Sequence, residues 1–407
     1  MDFNLYKLEE KPSLLQRKVP FKLAIFVMLV LSSGVFWLLH KNNKIISELS
    51  NYTVPVFQKR EKKILPEKVE KPKWKFIPGP ISMDQVKKNG CVADGFLSGY
   101  GDKTGEITDM LERSKCVYLH RALETWLRPP SFEKAENIME KVDKKPIVYG
   151  MFLAEALSTW RKYSDSSWDH KFEFEKMCRK GTQDHWEKNS CVPSINQPEY
   201  RRYLKSITHR AMDIGIQSFL FGQIKLQDEN PNFKETEIKS VLEDMRSYAK
   251  EKNMQIIIGA QTDDVVDENY LRLFDYIEGG VGINANGEVE NQPCSSKFSN
   301  CWALLWDKRY SSIANNVLLH LDWSGMEWDD MGIFARMNQE KRVKTLESLY
   351  NKFTNQKMGF LMPFLAVLNH ENEGCYGPNK HFYTPSKKYR CNDEEEINKI
   401  MPTIDTK

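Results

Sequence analysis

The sequence predicts an α/β fold: a (β/α)8 barrel of the TIM type with loop insertions, preceded by one transmembrane helix and an extended stem. Three observations carry this. From about residue 90 onward, apolar strand-like runs alternate with amphipathic stretches, and there are eight such pairs. One uncharged apolar segment, 23–39, lies well before them. All eight cysteines follow that segment. An open doubly wound sheet is the competing architecture, but no GxGxxG or GxxxxGK(S/T) motif opens any helix.

Residues 1–20 read as a short cytoplasmic tail and 21–40 as a transmembrane signal anchor. The run LAIFVMLVLSSGVFWLL is flanked by Lys22 and by His40 and Lys41. Charges on both sides argue against a buried core helix. The long stretch before it, and the apolar residues that continue past Ser32, Ser33 and Gly34, argue against a cleaved signal peptide. Residues 41–85 read as an extended stem, because KREKKILPEKVEKPKWK combines proline and alternating charge without a helical stripe. The barrel domain takes 86–407.

Its strands are expected at 92–98, 116–122, 147–155, 216–223, 255–261, 276–282, 317–322 and 359–365. The third, IVYGMFLAE, is continuously apolar, as expected of a strand covered on both faces. Helices are expected at 105–114, 132–142, 200–214, 269–274, 302–314, 341–353 and 394–401. The clearest one aligns Ile238, Val241, Leu242, Met245 and Tyr248 on one face. A long insertion, 158–197, separates the third strand from its helix.

Charge and cysteine bound the setting. Lys plus Arg (59) nearly balances Asp plus Glu (56), so no global field favours nucleic acid, and no nucleic-acid partner is expected. Cys91, Cys116, Cys178, Cys191, Cys294, Cys301, Cys375 and Cys391 are even in number, fall into four local pairs and show no CxxC spacing. This favours an exported, disulfide-bonded domain. Nearest-neighbour pairing is the simplest of many possibilities. Cys91 and Cys116 open adjacent strands, which in a parallel sheet lie about 5 Å apart, so a bridge there fits. The compartment is the bacterial periplasm or cell surface, or else the lumen of a eukaryotic secretory pathway. In the latter, Asn51-Tyr52-Thr53 is a glycosylation acceptor.

Reactive groups of a barrel gather at the C-terminal strand ends. There the sequence places His120, Arg121, Glu155, Gln223, Gln261, Asp263, His320, Asp322 and Trp323. Glu155 closes a run with no other charge, and Asp322 closes VLLHLD two residues after His320, so the two share a face. Burying a carboxylate costs several kcal/mol unless it is paired, so each is either functional or held in an ion pair, with Arg121 the obvious partner. Paired carboxylates at a barrel mouth suit glycoside hydrolysis, one as acid and one as nucleophile or base. Trp126, Trp160, Trp168, Trp306, Trp323 and Trp328 offer indole faces for sugar rings.

On these strand-end acids and the strand alternation, residues 91–401 resemble the extracytoplasmic barrel glycoside hydrolases at superfamily level. The resemblance implies carboxylate catalysis by Glu155 and Asp322, facing each other across the barrel at a separation suited to inversion. It implies carbohydrate contacts from His120, Arg121, Gln223, Gln261, Asp263, His320 and Trp323. In the best-known clan the acids end the fourth and seventh strands, whereas here the fourth ends in Gln223. The alternatives are a non-catalytic barrel that binds glycan or a partner protein at the cell surface, and a metal hydrolase drawing on His120, His320, Asp322 and His370. Neither HxH nor HExxH occurs at these positions, so no metal and no cofactor are expected. The expected partners are the membrane, through the anchor, and a carbohydrate ligand.

Overall fold

The computed structural model describes residues 76–404, apart from 102–104, 143–145, 160–162, 164–169, 231–236, 291–303, 324–327 and 369–373. The expected tail and anchor, most of the stem, Cys294, Cys301, Trp160, Trp168 and His370 lie outside the described residues. Among the described residues no helix is long and apolar enough to cross a membrane.

Short apolar runs rich in β-branched and aromatic residues take extended backbone and pair in parallel. They form β1 (Gly90–Ala93), β2 (Tyr118–Leu123), β3 (Val148–Leu153), β4 (Ser218–Phe221), β5 (Ile257–Ala260), β6 (Tyr276–Gly280) and β7 (Val317–His320). The last strand, β8, has two halves, Gly359–Phe360 and Met362–Val367, separated by Leu361. Each strand pairs with the next in order. The first half of β8 pairs with β7 (Gly359 opposite Leu318) and the second with β1 (Met362 opposite Cys91), both in parallel. One segment thus joins the two edges, and the sheet closes into a barrel. A short strand, Phe382–Tyr383, adds antiparallel to the outer end of β8.

Helices cover the outside: α1 (Met83–Asn89), α2 (Glu106–Arg113), α3 (Phe132–Met139), α4 (Pro198–Asp213), α5 (Glu237–Glu251), α6 (Glu268–Leu271), α7 (Lys308–Ser311), α8 (Gln339–Asn355) and α9 (Glu394–Ile400). Each buries the stripe its spacing dictates. α5 buries Ile238, Val241, Leu242, Met245 and Ala249, and α8 buries Leu346, Leu349 and Phe353. Side chains of Asp267 and Asn338 cap α6 and α8 by accepting the backbone N–H of Tyr270 and Lys341. With helices outside and packed side chains inside, β1, β2, β4 and β5 are buried at every position.

Two expectations need correction. The first strand ends at Ala93 rather than running to 98, because Gly95 adopts φ +63 and a Cβ there would lie 2.0 Å from the Tyr100 ring. The backbone turns back, with the Phe96 N–H donating to the Ala93 carbonyl. The helix expected over 302–314 is confined, among the described residues, to α7.

Among the described residues, three disulfides form between sequence neighbours: Cys91–Cys116, Cys178–Cys191 and Cys375–Cys391. The first ties the start of β1 to the residues entering β2. The second closes the 158–197 insertion, where Leu157–Ser158 pairs antiparallel with Ser190–Cys191. The Cys91–Cys116 bridge closes a loop with a sequence separation of 25. Replacing both cysteines with serine should therefore lower unfolding free energy by about 3 kcal/mol in urea titrations. A loss well below about 1 kcal/mol would show that the sheet holds this edge without the bridge.

Candidate active site

Alternate strands fill the barrel in layers. The hydroxyls of Tyr118 (β2), Ser218 (β4) and Tyr276 (β6) form one layer, 3.1–3.3 Å apart. Two residues further along β2 and β6 come His120 and Glu278, joined by His320 from β7. Above them the strand-end carboxyls meet in a small cleft lined by Gln261, Asp263, Glu278, Gly279, Gly280, Leu305 and Asp322.

Asp322 and Asp263 are half-buried, and neither forms an ion pair among the described residues. Asp322 Oδ2 has no hydrogen-bond partner. Burial pushes its carboxyl up to about 7, against the pull of His320 and with added repulsion from Asp329, Asp330 and Glu278. Burial likewise raises Asp263 to about 7, with Glu155 and Asp264 adding to the rise. The loop after β7 is held by Asp330, whose carboxylate accepts the backbone N–H groups of Gly282, Ile283 and Asp322 at 2.8–3.1 Å. Gly280 lets it approach, since a Cβ there would fall 2.8 Å from that of Asp322.

Glu155, just past β3, is only 2% exposed and does not line the cleft. Its Oε1 accepts the Gln223 amide at 2.7 Å, while Oε2 has no hydrogen-bond partner. Gly222 leaves room for it, because any Cβ there would lie 2.1 Å from that oxygen. Burial lifts Glu155 to about 7, outweighing the Gln223 hydrogen bond and the charge of Arg121. Gln261 secures the neighbouring turn by accepting the Gln223 backbone N–H at 3.2 Å.

Arg121 is not the partner of either expected acid. It pairs with Glu124 at 3.0 Å and Asp94 at 3.7 Å. Its guanidinium lies 3.6 Å from the Phe152 ring centre and 4.8 Å from that of Trp323. It adopts φ +54 within a bulge, where the β2–β3 register jumps from Leu119↔Tyr149 to Leu123↔Met151. Carbonyls released there accept the N–H groups of Gly95 and Leu97. Trp323 is likewise no exposed sugar platform. It is 4% exposed and packs on His320 at 4.7 Å between ring centres. Trp126 packs edge-on against Trp186, and Trp306 donates its ring N–H to the Val281 carbonyl. Of the described tryptophans singled out in the sequence, Trp328 alone is exposed.

His120 and His320 sit on the floor, fully buried, with both Nε2 atoms on Glu278 Oε1. Glu278 escaped the sequence reading, although it interrupts YIEGGVG at the position whose side chain faces inward with Tyr276. The same rule that singles out Glu155, a charge inside an apolar run, applies to it. Burial disfavours its charge, but the two imidazoles hold its carboxyl well below the usual range. Burial lowers His120. In His320 burial is outweighed by Glu278, and the net shift is upward.

No family model matches the sequence, and no curated protein does. Solved structures align with this chain at low identity. The cyclic α-maltosyl-(1→6)-maltose hydrolase of Arthrobacter globiformis aligns at 12% identity over 77% of this chain and 76% of that one, with TM-score 0.44. The debranching enzyme of Nostoc punctiforme aligns at 9% identity over 73% and 68%, with TM-score 0.44. A β-L-arabinopyranosidase of Geobacillus stearothermophilus aligns at 8% identity over 48% and 54%, with TM-score 0.30. The chain spans about half the length of that last enzyme. Nothing about substrate or residue roles follows from likeness at this level.

The Glu155 environment makes stability depend on pH in a defined direction. Its folded-state pKa is raised to about 7 from an ordinary 4.5. Its favourable contribution is therefore complete below about 4.5 and is lost as pH rises through about 7. Glu155→Gln, a neutral isostere, should gain up to about 3 kcal/mol relative to the parent between pH 5 and pH 8 in urea titrations. An unchanged difference between the two proteins at both pH values would contradict a buried, protonated Glu155.

Proposed function

We propose that this chain is a glycoside hydrolase, tethered through residues 21–40 and acting outside the cytoplasm on envelope or extracellular glycans. The observation that carries this is geometric. Asp263 and Asp322, from two different strand ends, face one cleft at the barrel mouth, and among the described residues neither forms an ion pair. Two carboxyl groups across a polar cleft are what glycosidic bond cleavage requires: a proton for the departing oxygen and a carboxylate for the sugar carbon or its attacking water.

Burial raises both Asp263 and Asp322 to about 7, so near neutral pH one can hold the proton while the other is ionised, and Asp263 is assigned as the general acid. Asp322 is assigned as the base or nucleophile on the facing wall. Glu155, behind Gln223, acts through Asp263 and is a positioning residue.

A non-catalytic glycan-binding barrel is the second reading. Gln223 favours it, since an amide ends the fourth strand and occupies one oxygen of Glu155. The two readings separate in an assay of sugar release from nitrophenyl glycosides and mixed oligosaccharides. Asp263→Asn and Asp322→Asn should each lower turnover by about 100- to 10,000-fold while circular dichroism stays native and stability does not fall. Full activity in either variant removes that residue from the chemistry. Oligosaccharide binding without turnover in the parent, insensitive to both changes, selects the binding module.

A further inference from the structure

We propose that His120, Glu278 and His320 form a binding site for a divalent transition-metal cation of the zinc type on the floor of the cleft. The ligand atoms come from β2, β6 and β7 and lie within 4.8 Å of one another. His120 Nε2 stands 3.0 Å from Glu278 Oε1, and His320 Nε2 contacts the same oxygen. Donors bound to a tetrahedral zinc ion lie about 3.3 Å apart, given metal–ligand distances near 2.0–2.1 Å. The His120–Glu278 spacing is already within a few tenths of an ångström of that, and the closer His320–Glu278 pair would have to open to admit an ion.

Hydrogen bonding around the rings supports a cation. His320 Nδ1 lies 3.1 Å from the Leu321 carbonyl, which only accepts, so Nδ1 carries the proton. A neutral His320 then directs its Nε2 lone pair at a carboxylate oxygen, and two lone pairs meet unless a cation or proton lies between them. His120 Nδ1 is held in turn by the Tyr118 hydroxyl at 2.8 Å. Imidazoles fixed at one nitrogen and converging through the other are the usual outer arrangement of metal-bound histidine.

A second, independent feature is Glu278 Oε2. Among the described residues it has no hydrogen-bond partner, and Glu278 is only 1% exposed. A buried carboxylate oxygen without a donor is costly, and coordination would satisfy it. Two imidazole nitrogens and one carboxylate suit zinc and its neighbours rather than calcium or magnesium. Glu278 lines the cleft, which gives an ion a route to the site.

The test is uptake of metal by the full-length protein, which keeps it separate from any result on glycan turnover. Chelator-treated protein is titrated with zinc(II) by calorimetry and with cobalt(II) by visible absorption. The parent should bind one equivalent, with cobalt bands of a four- or five-coordinate site. Glu278→Gln and His320→Gln, checked for native circular dichroism, should bind about 100-fold more weakly or not at all. Failure of the parent to bind either ion overturns the proposal and leaves an imidazolium–carboxylate cluster. Equal binding by the folded variants overturns it as well. Should the variants misfold, anomalous scattering from zinc-soaked parent crystals decides. A peak among the three side chains supports the site, and a peak elsewhere or none refutes it.

Discussion

A parallel sheet of short strands has two raw edges, and everything at the mouth of this molecule depends on how they are joined. The β8 segment uses its first residues to pair with β7 and its later ones to pair with β1. At the crossover the Leu361 N–H donates to Leu319 at 2.8 Å, and the Asp94 N–H donates to Leu365 at 2.8 Å. Backbone groups that would otherwise lie bare at an edge are satisfied on both sides. Without that closure, residues two hundred positions apart, such as His120 and His320, would not meet.

Closure also creates an interior that helices cannot screen, and the sequence fills it with polar groups rather than with hydrocarbon alone. The sequence rises from a hydroxyl layer, through an imidazole–carboxylate layer, to free carboxyls at the mouth. Each step brings groups whose charge is harder to bury, so each depends on the one below. Tyr118 orients His120, His120 and His320 hold Glu278 charged, and that charge in turn raises the cost of ionising Asp322. The fold is therefore coupled to the electrostatics of the rim through one column of side chains.

Much of the barrel was legible because its signals are local. The run IVYGMFLAE becomes β3, and the apolar stripe from Ile238 to Met245 becomes the buried face of α5. The pairing of Cys91 with Cys116 follows from their places at two adjacent strand starts. What the sequence hides is contact across the barrel. Arg121 adopts a left-handed backbone conformation in a bulge that no glycine marks, which turns its side chain toward Asp94 and Glu124 and away from the expected acids. Trp323 looks like an exposed strand-end indole, yet Arg121 and His320 cover it. Glu278 needs His120 and His320 from other strands before its burial makes sense.

Comparison among the buried acids shows why the mouth differs from the rest of the protein. Asp393 is saturated by Arg342 at 2.8 and 3.0 Å and by the Tyr383 hydroxyl at 2.9 Å. Glu106 is met by Arg113, Ser386 and Lys388. Asp330 takes three backbone N–H groups. In each of these the partners account for the carboxylate, and the structure around it is the reason it is kept. Among the described residues, Glu155, Glu278 and Asp322 each leave one buried oxygen without a hydrogen bond and Asp94 leaves both, and all four lie within or just past the C-terminal halves of their strands. An unmet acceptor in the interior costs on the order of 1–3 kcal/mol. That cost gathers at the C-terminal ends of the strands, whereas Asp393, Glu106 and Asp330 are met by cations or backbone donors.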